Sequence, residues 1–127
     1  MKRLVLAGLV LVAACSADAG NAAQAGTLTL SLTAAGPNDG AIVVVVSGGS
    51  VVSVDAPAGY QIASNSDGRG THVMIVGSVT SGVLATLHVP DVSRASAYVV
   101  TVEQVADRDS FGLLDPARYQ VMVGPTK

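Results

Sequence analysis

Tryptophan is absent from this chain of 127 residues, and phenylalanine (Phe111) and cysteine (Cys15) occur once each. A lone thiol excludes an intramolecular disulfide and a structural zinc site made of cysteines, so any folded part must be held by its core. Glutamate occurs once, at Glu103, and lysine only at Lys2 and Lys127. Helix surfaces are normally filled with Glu, Lys, Gln and Arg, so long helices are poorly supported. The cations beyond the first three residues, Arg69, Arg94, Arg108, Arg118 and Lys127, are scattered and form no basic stripe, which argues against a nucleic-acid partner. No Gly-x-Ser-x-Gly elbow, His-Glu-x-x-His pair, P-loop or EF-hand spacing is present. The expectation is therefore no enzyme and no cofactor.

Valine, alanine, glycine and serine are the commonest residues, and the chain falls into eight strand-like runs rich in Val, Leu and Thr, separated by turn signals. Thr27 to Thr33 alternates Leu with Thr or Ser, the pattern of a strand with one wet face. Ile42 to Val46 is five β-branched residues in a row, a buried strand. Shorter runs follow at Val51 to Val54 and Tyr60 to Ala63, and Ser64 to Gly70 reads as loop. Thr71 to Gly77 and Val83 to Val89 read as the arms of a hairpin. Ala97 to Val105 is the longest strand, with Tyr98, Val100 and Val102 on one face, and Arg118 to Val123 is the last. Asp91 to Ser96 reads as a turn of helix, and Phe111 to Pro116 as a turn that plugs one end of the core. Even spacing without βαβ units predicts an all-β antiparallel sandwich of about eight strands, Ig-like in general form. Its core is aliphatic, with Tyr hydroxyls tying corners.

The first residues have a different character. Met1 to Arg3 carries two positive charges, Leu4 to Val12 is apolar, and small residues lead to Cys15. The run is too short to span a bilayer core of about 30 Å as a helix and reads as a secretory signal. Val12-Ala13-Ala14-Cys15 resembles the bacterial lipobox. That resemblance implies cleavage between Ala14 and Cys15, diacylglyceryl attachment to the Cys15 thiol and acylation of the new N-terminus. The simpler alternative is an ordinary signal peptide cut near Ala17 or Ala19. Residues 1–14 are then the signal, 15–26 the lipidated cysteine with a small, polar, flexible tether, and 27–127 the sandwich. The mature chain carries five basic and nine acidic residues, a net charge of about −4. Ser16, rather than Asp, after the cysteine leans toward the outer membrane in bacteria that follow that sorting rule.

Three sets of residues are candidates for a site. His72 and His88 are equidistant from Thr80, so a symmetric hairpin would place their Cβ atoms about 5 Å apart, a weak candidate metal pair. Asn38-Asp39-Gly40 and Asn65-Ser66-Asp67-Gly68 resemble fragments of calcium loops, but each has too few oxygens and Asp-Gly turns are the commoner meaning. Val43 and Val45 give an outer strand face as apolar as the inner one, with Val99 and Val105 adding to it. Such a face is expected to be covered by loops, or else to meet another protein.

The segments Gly26 to Leu30, Gly82 to Val89 and Tyr98 to Val105 resemble cohesin-like and carbohydrate-binding-like β-sandwiches. Val89-Pro90-Asp91-Val92 and Tyr98 to Asp107 are similar to short environmental-bacterial lipoproteins of no assigned role. Together these imply a lipid-anchored module of the cell envelope, exported and held to the membrane through Cys15. Its partner would be a protein or a glycan. For a glycan, the available aromatic platforms are Tyr60, Tyr98, Tyr119 and Phe111.

Overall fold

A computed structural model describes residues 22–33 and 36–126. The expected signal, the Ala14–Cys15 cleavage position and the lipidation site lie outside the described residues. The described chain is an antiparallel sandwich of two sheets. Its strands are β1 (Gly26–Thr33), β2 (Asp39–Ser47), β3 (Ser53–Asp55), β4 (Gln61–Asp67), β5 (Gly70–Val76), β6 (Gly82–Val89), β7 (Val99–Asp107), β8 (Leu113–Leu114) and β9 (Gln120–Pro125). One sheet has the order β3-β6-β1-β9 and the other β4-β5-β2-β7-β8.

Alternation does most of the sorting. Leu28, Leu30 and Leu32 of β1 point inward, as do Ile42, Val44 and Val46 of β2, and all six are buried. Val73, Ile75, Leu84, Leu87 and Val105 complete an aliphatic core between the sheets. The outward residues of β1 are hydroxylated, and Thr27 and Thr29 both share hydrogen bonds with Thr126. Asp91 caps the 3₁₀ segment Val92–Ala97, which kinks at Arg94, by accepting from the Ser93 amide, so helical turns stand where a turn of helix was expected.

All three tyrosines close corners with their hydroxyls. Tyr98 donates to the Ser50 carbonyl at 2.6 Å, Tyr119 donates to Asp39 Oδ1 at 2.8 Å, and Tyr60 accepts from the Thr80 amide at 3.1 Å.

Several local expectations are corrected. Thr71 to Gly77 and Val83 to Val89 do not form a hairpin, because β5 pairs with β2 and β4 while β6 pairs with β1 and β3, in the opposite sheet. The connecting segment crosses the end of the sandwich, where Val79 is buried and its amide donates to the Asp39 carbonyl. Of the segment Phe111 to Pro116, expected to plug one end of the core, Leu114 packs against the core, but Phe111 is 82% exposed and Val79 is the fully enclosed residue. The polar stretch Ser64 to Gly70 is not a loop. Ser64–Asp67 belongs to β4 and Gly70 opens β5, so only Gly68 and Arg69 turn. An edge strand needs no apolar face of its own when its neighbour supplies the ladder, which is why Ser and Asn suffice there.

Val105 is also corrected. It lies in the core, not on the outer face, because the β2–β7 register slips between Val43 and Val44. Gln104 stands opposite Val43 and Val102 opposite Val44, leaving Glu103 as the extra residue of a bulge. One extra residue reverses the alternation beyond it.

Candidate functional site: the pole opposite the chain entry

The chain enters the sandwich at one pole. The Gln24 carbonyl accepts from the Val92 amide at 2.8 Å, the Gln24 amide donates to Asp91 Oδ1 at 3.3 Å, and Gly26 stands opposite Val89. The expected tether is therefore pinned to the domain two residues before β1 begins. The strands then run about 25 Å to the other pole, at roughly 3.3 Å per residue. There lie the β7–β8 loop, the β5–β6 crossing and the Asp39 end of β2.

The β7–β8 loop is braced by the last residue of β7. Asp107 Oδ1 accepts from the Asp109 and Ser110 amides at 2.8 and 2.9 Å and from Ser110 Oγ at 3.3 Å. These bonds, the Ser110 amide foremost, hold the Asp107 carboxyl below its ordinary range. The Asp107 amide donates to the Gly112 carbonyl, the Phe111 amide to the Asp107 carbonyl and the Arg108 amide to the Asn38 carbonyl, at 2.9, 3.0 and 2.7 Å. Phe111 is held at φ 58°, the one non-glycine residue with positive φ among those described. A bulky side chain at that angle is an outlier that the surrounding loop must over-determine.

Beside this loop is an open cleft of about 420 Å³, bounded by Phe111, Arg108, Asp107, Ser78, Gly59 and Val76 among others. Arg108 Nη1 donates to Ser78 Oγ at 2.9 Å, which holds the guanidinium against the crossing. Charge pairing divides the arginines by pole. Arg69 pairs with Glu103 and Arg94 with Asp91, whereas Arg108 and Arg118 have no carboxylate within ion-pair distance among the described residues. The cleft thus combines an unburied ring, apolar wall and a cation with unused donors.

The other candidates resolve differently. His72 and His88 lie in opposite sheets, so the facing pair is overturned. His72 Nε2 meets Asp67 Oδ2 at 2.8 Å and its Nδ1 meets Glu103 Oε2 at 3.4 Å. The two carboxylates flank opposite sides of the ring and do not converge. Among the described residues no cluster of three or more His, Cys, Asp or Glu is placed to hold a metal. His72 is on β5 and Glu103 on β7, so their bridge passes over β2, and it roofs Val45. That bridge accounts for the burial of Val45, which is only 7% exposed. Val43 is half-buried between Met74 and Gln104 and remains on the open face, and Val99 is exposed.

His88 meets Asp55 Oδ2 at 2.5 Å, with Ser53 directly across the strand. The types are those of a Ser-His-Asp set. They stand on the outward face of a sheet, where the amides of β6 are engaged in ladders on both sides and offer no oxyanion donors.

The calcium-like fragments are also occupied. Asp67 accepts from the Arg69 amide and His72, and Asp39 is buried, with Oδ2 accepting from the Gly36 amide at 2.6 Å and Oδ1 from Tyr119. Burial, then the Asp39 hydrogen bond, pushes the Tyr119 hydroxyl from 10.0 up to about 12. Only the protonated phenol can donate to Asp39. Its contribution is therefore complete below the unfolded value and fades as pH climbs through the folded one, between pH 10 and about 12. Tyr119→Phe is expected to cost about 1–2 kcal/mol at pH 7 and to flatten the alkaline decline in that window, read from urea melts at a series of pH values.

No family model matches this chain, and neither does any curated protein or solved structure. No helix among the described residues is long and apolar enough to cross a membrane.

Proposed function

We propose that this chain is a non-catalytic, lipid-anchored module of the bacterial cell envelope that presents the pole opposite its anchor to a partner. The observation that carries this reading is the separation of the two ends. The chain enters at Gln24, next to the Asp91 cap, while Phe111 and Arg108 stand at the far pole. Anchored at Cys15 through a short tether, the domain turns its free loops away from the membrane, where sandwich domains commonly bind. Two or more acyl chains on Cys15 give stable anchoring, at roughly 0.8 kcal/mol per buried CH₂. The absence of catalytic motifs and the internal use of His72, Glu103, Asp39 and Asp67 support a binding role over a chemical one.

The test is fractionation with mass spectrometry of the native N-terminus. The expected product begins at a diacylated Cys15 and partitions with membranes, and Cys15→Ala yields a soluble or unprocessed chain with the sandwich intact. A Cys15→Ala protein that is still processed and membrane-bound would remove the anchor from this reading.

A second reading, a glycan-binding lipoprotein, is favoured by one observation. Tyr60, Tyr98 and Tyr119 spend their hydroxyls on the fold, and Phe111 alone offers a free ring.

A further inference from the structure

We infer that the cleft beside Phe111 takes a carboxylated sugar unit of an acidic glycan, stacked on the Phe111 ring with its carboxylate on Arg108. This deepens the glycan reading above and rests on it. A sugar ring has an apolar C–H face, polar edges and, in an acidic unit, one fixed negative charge. The cleft carries a complement to each.

Phe111 supplies the face. Its ring is 82% exposed, on a loop whose conformation is fixed by the three bonds to Asp107 Oδ1. Solvent-exposed aromatic rings are costly to display and are useful where a flat apolar surface must be recognised. A rigid loop also loses little conformational freedom on binding.

Arg108 supplies the charge. Of its five N–H donors, one goes to a described side chain, Ser78 Oγ, which ties the guanidinium to the cleft wall. A carboxylate accepts two parallel bonds from such a fork, which a neutral hydroxyl cannot reproduce. Asp107, also on the wall, supplies the acceptor: Oδ2 takes no hydrogen bond from a described residue and is open to a sugar hydroxyl. The charge of Asp107 is already shared among three donors, and Asp109, the loop's second carboxylate, is not part of the wall. Gly59 on the wall has no side chain and nothing within 4 Å of where a Cβ would stand, so a ring can approach the backbone there.

The test is calorimetric titration of the full, lipidated chain in detergent micelles with a tetramer of galacturonic acid and with a tetramer of glucose. The acidic tetramer is expected to bind about tenfold or more tightly than the neutral one, and to weaken with added salt. Phe111→Gly retains the backbone angle, removes the ring and should weaken both sugars about tenfold while leaving the melting temperature unchanged or higher. Arg108→Gln should abolish the preference for acid and leave the neutral sugar unaffected. Equal binding of both tetramers, insensitive to Arg108→Gln, overturns the acidic assignment and leaves the glycan reading standing. Acid binding that survives Phe111→Gly overturns the site. No heat from either sugar overturns the inference and the glycan reading together, with the anchored-module reading still judged by the Cys15 experiment.

Discussion

Leu30→Ala is expected to lower the stability of this domain by about 3–5 kcal/mol. Leu30 is fully buried in the middle of β1, opposite Ala85 of β6 on one side and Val123 of β9 on the other. The loss has two parts, the transfer energy of the deleted side chain and the cavity that remains. The second part is large here because the surroundings cannot collapse. The neighbouring core is mostly Val, Ile and Leu, the β-branched members are stiff at χ1, the buried ring of Tyr98 is tied to the Ser50 carbonyl, and no methionine is buried among the described residues. Small domains have stabilities of about 5–15 kcal/mol, so this one change can remove a third or more of the total. Urea melts are the measurement, with Thr29→Ala on the wet face of the same strand as the comparison. A cost below about 2 kcal/mol would mean that the core repacks more freely than its β-branched composition allows.

Gly48→Ala should be comparably damaging for a different reason. Gly48 sits at φ 91°, and a Cβ there would overlap the carbonyl oxygen of Ala97. The next residue is as confined, since a Cβ on Gly49 would come within 2.6 Å of the Tyr98 ring. Gly48 and Gly49 let the chain pass beneath Tyr98, whose hydroxyl holds Ser50. The expected cost is about 3 kcal/mol or more, from positive φ and overlap together. Gly59→Ala separates the two terms. Gly59 is at φ 94°, and a Cβ there would meet nothing within 4 Å, so only the conformational part remains, about 1 kcal/mol. Equal costs at the two positions would show that the overlap with Ala97 is relieved by movement of the 3₁₀ turn.

The outer face of the five-stranded sheet illustrates how a local pattern is legible while the residues that stand beside it are not. The apolar alternation of Val43 and Val45 is plain in the chain. What lies over Val45 is a contact between His72 and Glu103, distant in sequence and on strands either side of β2. The same holds for His88, whose partner Asp55 comes from β3 and not from the hairpin that spacing implies. Phe111 stands out in the chain as its only phenylalanine. Nothing local says that it faces outward, although the Asp107-x-Asp109-Ser110 turn before it and Gly112 after it are signals of a braced loop.

The sequence by itself determined the class of this domain. Period-two alternation in β1, a β-branched run in β2 and the scarcity of Glu and Lys leave little besides an antiparallel sandwich, because each is a property of neighbouring residues. The helical turn after Pro90 was legible for the same reason, whereas the partners of the corner tyrosines, 20 to 80 residues away, were not. Only the tertiary structure decided which strands share a sheet, that Glu103 is an inserted bulge residue that sends Val105 inward, and that Val79 closes the core in place of Phe111. Those outcomes depend on packing between segments far apart in the chain, where one residue of register exchanges core for surface. The pole that carries Phe111 and Arg108 is of that second kind: loops separated by some thirty residues meet there only because both sheets end at the same place.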